Sequence, residues 1–435
     1  MSRYLEVIPL RRFHYLILIV LGLGWAFDAM CAGLISATTP LIQQEWGLTA
    51  SQLGMLLSCW LAGMLLGGLT MGFLADVIGR KKATLLTLLL YSIPTSAATF
   101  SLSPESMALL RLLAGMGSSG YMVVASTLLS EYVPARYRGR FVAFLESSWA
   151  FGWLLSVYLG RVLAPYYGWR SVFSTGAIPL LTLPLVALLV PESARYLEER
   201  GEIEAIERIF RSLGIRVNAE EVLREAHGRR VRAKLVELFS AEYRKRTVML
   251  WIHWFCIVLA YWGIFLWLPK ILYDRGLSLV RSLDFTVIIT LMQVPGYWSG
   301  ALLIDRVGRK PVLSTYMMLA GLGSLLFAIA GNELEVLVWG SMISFFNLGA
   351  WGATYAYTPE LYPTRARGTG AGSANSVGRI GGMVGPYAVG ALLDLTGGNT
   401  YPVFVMFTIV HLVSAITVMT LGIETKGRAL EEISG

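Results

Sequence analysis

The sequence predicts an all-α integral membrane protein with twelve membrane-spanning helices. Of its 435 residues, 55% are hydrophobic and only 15% are charged, and the mean hydropathy is +0.60. An ordinary soluble domain carries about 25% charged residues, so a charge-poor chain of this length indicates helices immersed in lipid. The composition therefore excludes a soluble enzyme, a disordered scaffold and a nucleic-acid-binding protein, although the net charge is +8.

Apolar segments long enough to cross a hydrocarbon core of about 30 Å occur twelve times along the chain. We number them spans 1 to 12 and predict them at residues 14–40, 51–75, 83–102, 106–130, 141–164, 170–190, 247–269, 283–304, 312–331, 334–358, 371–393 and 401–422. A polar stretch with 13 basic and 11 acidic residues follows span 6. The predicted organisation is a six-span bundle at 1–191, a linker with short helices at 192–246, a second six-span bundle at 247–423 and a tail at 424–435.

The distribution of Lys and Arg predicts the orientation in the membrane. Of the 36 such residues, 29 fall at the end of the spans that holds both termini, five at the other end and two inside spans. We call these two ends the basic end and the far end. Because cytoplasmic loops carry the excess of Lys and Arg, we expect both termini in the cytoplasm and the protein in the cytoplasmic (inner) membrane. The first apolar run continues to Pro40 without a small-residue cleavage site, which predicts a span rather than a signal peptide.

Two motifs recur at a constant offset of 229 residues. The motif D-x-x-G-R-K begins at Asp76 and again at Asp305, and E-x-x-P-x-x-x-R-G begins at Glu131 and again at Glu360. Two motifs in one register indicate two homologous halves of six spans each. Such halves pack around an axis with the substrate site near the midplane.

These loops resemble the signature loops of the major facilitator superfamily, which follow spans 2 and 8. The paired E-x-x-P-x-x-x-R-G motifs, PESARYL (191–197) and ETKGRALEE (424–432) resemble the sugar-porter branch. Within that branch, GWAFDAMCAGLISATTPLIQQEWGL (24–48) and GAWGATYAYTPELYP (349–363) are similar to the niacin transporter group. That group is related to metabolite:proton symporters, synaptic vesicle protein 2 and organic ion transporters.

The resemblance implies two pseudo-symmetric six-helix bundles around a central cavity, with transport by alternating access. It also implies that salt bridges at the cytoplasmic end lock the halves together while the site faces outside. The residues matched to this gate are Asp76, Arg80, Glu131, Arg138, Asp305, Arg309, Glu360 and Arg367. Helix capping and positive-inside charge are the alternative roles for these residues. Hexose porters carry Gln in span 5 and a Gln pair in span 7, whereas this chain has Glu146 and no such pair, so a typical hexose site is not expected.

Four ionisable residues fall inside the predicted spans: Asp28, Arg111, Glu146 and Arg379. A charge in the bilayer costs several kcal/mol unless it is paired or hydrated, so each is a functional candidate. At about 1.5 Å per residue, Asp28 and Arg111 reach similar depths, and we predict that they interact. With Glu146 they are the predicted proton-coupling residues; a static pair joining spans 1 and 4 is the alternative. Relatives read FDAMD where this chain reads FDAMC, so coupling can rest on Asp28 alone, involve Glu146, or be absent.

Glu146 and Arg379 belong to opposite halves and are also predicted to contact substrate. A guanidinium binds a carboxylate bidentately, so Arg379 favours an anionic substrate, whereas Glu146 favours a cation or a second proton site. A mutual structural pair is the alternative. Side chains that suit a flat, partly apolar ligand complete the predicted site, with packing as the alternative for each: Trp149, Tyr261, Trp262, Gln293, Asn347, Trp351 and Tyr355. Asn347, Trp351 and Tyr355 all belong to span 10. Their spacing of i, i+4 and i+8 predicts that they share one helix face.

These observations predict a secondary transporter that takes up a small organic acid of the nicotinate or aromatic-carboxylate type with a proton. A sugar or polyol transporter, an organic-cation facilitator anchored by Glu146 and a non-transporting membrane sensor remain as alternatives. No nucleophile–base pair or metal-ligand cluster stands out in the sequence, so we expect no enzymatic activity, no metal and no cofactor besides the coupling proton. The expected partners are the solute and the lipid bilayer, with the chain acting as a monomer.

Overall fold

The computed structural model describes residues 10–212 and 235–427, and over these ranges the chain is almost wholly helical, with no strand assigned. Spans 1 to 4 are the helices Arg12–Trp46, Ala50–Ile78, Arg80–Ala97 and Pro104–Tyr132. The helix Ala135–Ser174 contains span 5 and the start of span 6. Gly168 (φ 75°, ψ 174°) breaks the helical path between the two spans. Span 6 continues through the 3₁₀ stretch Thr175–Thr182 and the helix Leu183–Leu189.

The second half repeats this pattern with one interrupted span. Span 7 is Arg244–Asp274, and span 8 consists of Leu279–Leu291 and Gln293–Arg306. Spans 9 to 12 are Arg309–Ala328, Glu333–Glu360, Thr364–Leu395 and Tyr401–Leu421. The described parts of the linker form the helices Ala194–Glu199 and Ile203–Ser212 and the 3₁₀ turn Leu235–Phe239. The remaining linker residues, 213–234, and the end of the ETKGRALEE motif, 428–432, lie outside the described residues.

The helices in the described ranges account for the twelve predicted crossings. Ten helical stretches are long and apolar enough to cross a membrane. One of them, Arg136–Leu189, is 54 residues long and includes both span 5 and span 6. Span 11 is not among the ten: its 32-residue helix contains eight glycines and three arginines, which lower its hydropathy.

The two six-helix bundles meet along two seams. Span 2 packs against span 11 at one seam and span 5 against span 8 at the other, while spans 1 and 7 touch between them. At the 2/11 seam the backbones approach closely. A Cβ on Gly390 would lie 2.2 Å from the Ala50 carbonyl oxygen, and one on Gly54 would lie 2.6 Å from that of Pro386. Only glycine therefore permits this packing.

Polar contacts between the bundles are concentrated at the far end and in the middle. At the far end, Asp394 accepts backbone hydrogen bonds from span 2, and Arg161 forms an ion pair of 2.5 Å with Asp284. Among described residues, the cross-bundle hydrogen bond nearest the basic end joins the Tyr297 hydroxyl to the Ala143 carbonyl at 3.4 Å. The bundles are thus held together at the far end of the membrane.

Candidate functional site

A cavity lies between the two bundles near the middle of the spans, where it is lined mainly by aromatic side chains. Its wall carries four tryptophans, Trp25, Trp149, Trp262 and Trp351, and three tyrosines, Tyr261, Tyr297 and Tyr355. Two charged side chains, Glu146 and Arg379, also line it. Seven of these nine residues were candidates from the sequence. Trp25 and Tyr297 were not, although Trp25 lies one helical turn before Asp28.

Arg379 is a buried cation with no described carboxylate within 4 Å, and Asp28 attracts it electrostatically from farther away. It projects from span 11 and is 8% exposed. Its guanidinium contacts two thioether sulfurs of the other bundle, Met64 Sδ at 3.3 Å and Met122 Sδ at 3.8 Å. A thioether is only a weak acceptor, whereas the guanidinium has five N–H donors. The arginine is therefore equipped to bind a stronger acceptor that enters the cavity.

Glu146 reaches the same cavity from span 5 in the other bundle. Its carboxylate accepts a long hydrogen bond of 3.4 Å from the Tyr297 hydroxyl. Neither this carboxylate nor any other described acid lies within 4 Å of Arg379, so the alternative of a mutual structural pair is wrong for this structure. Tyr355, which also lines the cavity, interacts electrostatically with both side chains.

Aromatic residues from both bundles touch across the cavity. The indole N–H of Trp149 donates to the Tyr261 hydroxyl at 2.8 Å, which joins span 5 to span 7. The rings of Trp149 and Trp262 are 5.9 Å apart in an edge-to-face contact between the bundles, and within the second bundle the rings of Tyr261 and Trp351 are 5.3 Å apart. A flat ligand that enters here meets ring faces and edges on several sides, the arrangement that favours aromatic contacts.

Two predicted substrate contacts do not line the cavity. Asn347 is fully buried, and its amide nitrogen lies 3.0 Å from His411 Nε2 of span 12. Steps of four residues advance a helical face by about 40° each, so Asn347 and Tyr355 diverge, and Leu348 lines the cavity with Trp351 instead. Gln293 is also fully buried, beside Tyr261, at the break between the two helices of span 8.

The predicted interaction between Asp28 and Arg111 is not formed. Arg111 donates to the carbonyl oxygens of Cys31 and Ala32, both at 2.8 Å, and its guanidinium lies 4.2 Å from the centre of the Trp60 ring. Asp28 instead accepts a hydrogen bond of 2.9 Å from the Ser118 hydroxyl.

The antiparallel register of spans 1 and 4 explains this difference. It places Arg111 opposite Cys31, about one turn beyond Asp28, and places Asp28 opposite Ser118. A depth estimated from predicted span ends is uncertain by about one turn, 5.4 Å, and that error decides which groups meet. Asp28 remains fully buried, with its Oδ1 atom unpartnered.

At the basic end, the repeated motifs form one polar network in each bundle. In the first bundle, Arg80 lies 2.8 Å from Asp76 and 3.8 Å from Glu131. The Ser193 hydroxyl donates to Glu131, and Glu192 accepts from the backbone N–H of Lys81 at 2.9 Å.

The second bundle repeats these contacts. Arg309 lies 3.2 Å from Asp305 and 3.0 Å from Glu360, and Thr425 donates to Glu360. Glu424 accepts from the backbone N–H groups of Arg309 and Lys310 at 3.0 and 3.1 Å. The residues after spans 6 and 12 therefore complete equivalent networks.

Each network closes within its own bundle in this structure. The predicted locking of the halves concerns the state in which the site faces outside, whereas here the bundles are joined at the far end. Each motif loop packs beside a span of the same bundle, so its arginine finds a carboxylate there first. Arg138 is exposed and forms no ion pair with a described carboxylate, and Arg367 donates to the Pro359 carbonyl at 3.1 Å. A role of these eight residues in gating stays a prediction.

A comparison with protein families decides which family the chain belongs to. The family described as "Sugar (and other) transporter" matches residues 21–435. The chain belongs to this family. The transporter is 39% identical to the niacin transporter of Acinetobacter baylyi over 99% of its own chain and 98% of that protein. It is 32% identical to the gallate transporter of Pseudomonas putida over 89% and 87% of the two chains.

A comparison with solved structures gives the same fold. The xylose transporter of E. coli, in a partially occluded inward-open conformation, superposes with a TM-score of 0.80 at 18% identity. The match covers 96% of the transporter and 100% of that chain. The predicted major facilitator fold and the resemblance to the niacin transporter group are therefore confirmed, and the relatives are transporters rather than enzymes.

Proposed function

We propose that this protein transports a small aromatic or heteroaromatic acid by alternating access, together with a proton. One observation carries the proposal: Arg379 lies buried in an aromatic-lined cavity, where it contacts thioethers and has no described carboxylate within 4 Å. A guanidinium in a site of low polarity binds a carboxylate strongly and bidentately. The tryptophan and tyrosine rings around it suit the flat remainder of such a ligand.

The relatives support this substrate class. The two named above are a niacin transporter and a gallate transporter. Niacin and gallate are both carboxylates on a six-membered aromatic ring, and Arg379 with its surrounding rings provides complementary contacts for that shared shape.

The distribution of contacts supports alternating access. The bundles are joined at the far end by Asp394 and by the pair of Arg161 and Asp284, while the networks at the basic end stay within each bundle. We assign the basic end to the cytoplasm of a cell inner membrane, because Lys and Arg are concentrated there, and the conformation is then closed to the outside. A single chain encloses the cavity, which supports a monomer as the transporting unit.

Asp28 is the carboxyl group that we assign to proton coupling. It is fully buried in span 1, with Ser118 as the hydrogen-bond donor to one oxygen and no partner for the other. An ionisable group at this depth is costly unless it is paired or hydrated, so its presence indicates a function. Its proton affinity would change when the bundles move and its hydration changes. No other cofactor is needed for this mechanism.

The experiment that tests the substrate class is thermal stabilisation of the purified, full-length protein by a panel of solutes. A ligand that binds the native state raises its melting temperature. The panel contains nicotinate, benzoate, glucose, xylose and choline at pH 5.5 and pH 7.5. We expect shifts with the aromatic acids, larger at pH 5.5 if a proton binds with the substrate.

A second candidate function is transport of an organic cation, which the carboxylate of Glu146 in the cavity favours. A shift with choline and none with the acids would support this candidate and overturn the first. A shift with a sugar alone would overturn both, since neither charged side chain would then be needed for recognition.

A further inference from the structure

Glu146 and Arg379 are an acidic and a basic side chain that line one cavity without pairing with each other. The following inference rests on the proposed function, in which Arg379 binds the carboxylate of an aromatic acid. That assignment leaves Glu146 without a role, although it lies in the same wall. Because a charged carboxylate is costly to desolvate, its place in an otherwise aromatic cavity needs an explanation.

The contacts of the two side chains place them on different parts of the wall. Glu146 lies beside Tyr297 on the 5/8 side, and Arg379 lies beside Met64 and Met122, which come from spans 2 and 4. Tyr355 of the same wall interacts electrostatically with both side chains. Because Arg379 and Glu146 line one cavity from different sides, a ligand held by Arg379 can extend toward Glu146.

The only protein hydrogen bond to Glu146 within the described ranges is the 3.4 Å contact from Tyr297. This distance lies beyond the usual 2.5–3.0 Å range of an O–H···O bond. The carboxylate therefore retains acceptor capacity for a donor on the ligand. A donor on the ring, remote from the ligand carboxylate, has the position and the chemistry to meet it.

We propose that Glu146 is a specificity-determining residue that accepts a hydrogen bond from a second polar group on the aromatic ring. The ligand class is an aromatic acid that carries a ring hydroxyl or a protonated ring nitrogen. An unsubstituted ring leaves the buried carboxylate without a donor, and such unmet groups give strong discrimination between otherwise similar ligands. Arg379 then binds any aromatic acid, and Glu146 selects among them.

The test is isothermal titration of the full-length protein with benzoate, 3-hydroxybenzoate, 4-hydroxybenzoate and nicotinate. We expect the wild type to bind at least one substituted acid about tenfold or more tightly than benzoate, the value of one hydrogen bond to a charged group. Glu146→Leu is expected to reduce that ratio to less than about twofold while it still binds benzoate. Glu146→Gln, which keeps an acceptor oxygen, is expected to retain part of the ratio. Glu105→Gln, at an exposed acid, is the matched control.

Retained benzoate binding distinguishes a loss of selectivity from a loss of folding. Equal dissociation constants for all four acids in the wild type would overturn the role of Glu146 and leave the proposed function intact. An unchanged ratio in Glu146→Leu, or the loss of benzoate binding as well, would also overturn it. Absence of binding by every acid in the wild type would overturn the proposed function itself.

Discussion

Asp394 at the end of span 11 accepts a hydrogen bond of 2.9 Å from the backbone N–H of Ala50 in the first turn of span 2. Its second carboxylate oxygen accepts from Ser51 at 2.8 Å. The first N–H groups of a helix have no partner within the helix, and a carboxylate there is favoured by the helix dipole. One bundle thus caps a helix of the other at the far end.

Asp394→Ala is expected to weaken the closure of the far end, because two N–H groups of span 2 lose their acceptor. Spin labels are placed at the exposed positions Gln44 and Leu395 in a cysteine-free background. We expect the distribution of distances between the two labels to broaden toward longer values. Glu333→Ala is the control, since Glu333 pairs with Arg281 of its own bundle at the same end. An unchanged distance distribution in Asp394→Ala would contradict a role in closure.

Arg379→Gln is expected to weaken nicotinate binding at least about thirtyfold, because a buried carboxylate loses its charged partner. Isothermal titration of the purified protein measures this change. Arg275→Gln is the control, since Arg275 is another partly buried arginine of the same bundle, bonded to the Phe327 carbonyl away from the cavity. A dissociation constant within twofold of the wild type would argue against the carboxylate contact.

Asp28→Asn is expected to abolish proton-driven accumulation of substrate while substrate exchange continues. The amide keeps the shape of the carboxyl group and accepts the Ser118 hydrogen bond, but it does not take up or release a proton. Counterflow and pH-gradient uptake in proteoliposomes separate the two activities. Asp274→Asn, at a far-end carboxylate paired with Lys270, is the control. Full accumulation in Asp28→Asn would assign proton coupling to another residue.

Glu424→Gln is expected to destabilise the second bundle near neutral pH. Burial opposes ionisation of Glu424, but four backbone N–H groups outweigh it and hold the pKa of this carboxyl below its ordinary value of 4.5. The ionised form therefore stabilises the fold above pH 4.5, and this contribution is lost as the pH falls through the lowered pKa.

Thermal unfolding at a series of pH values measures the effect of Glu424→Gln. We expect the melting temperature to fall by roughly 1 to 3 °C at pH 7 and the difference from the wild type to shrink below pH 4. Glu242→Gln, at an exposed acid of the same end, is expected to change neither value. A difference that is independent of pH would show that the backbone hydrogen bonds to the ionised carboxylate are not responsible.

The charged members of the site could be predicted because charged residues are costly, and therefore rare, inside membrane spans. Glu146 and Arg379 were candidates as charges inside spans, and both line the cavity. Neutral polar residues carry no such signal. Asn347 and Gln293 are polar within spans, yet they are buried away from the cavity.

The sequence by itself determined the number of spans, the two-fold repeat, the family and the residue types available to the site. The spans and the repeat follow from local composition and motif spacing, since a span requires a minimum apolar length whatever it packs against. The family follows from the resemblance of the motifs. Only the tertiary structure decided which side chains meet. Arg111 lies opposite Cys31 rather than Asp28, and the motif arginines pair within their own bundles. These outcomes depend on helix register and rotation, where a shift of one turn changes the partner of a side chain while the hydrophobic pattern stays the same.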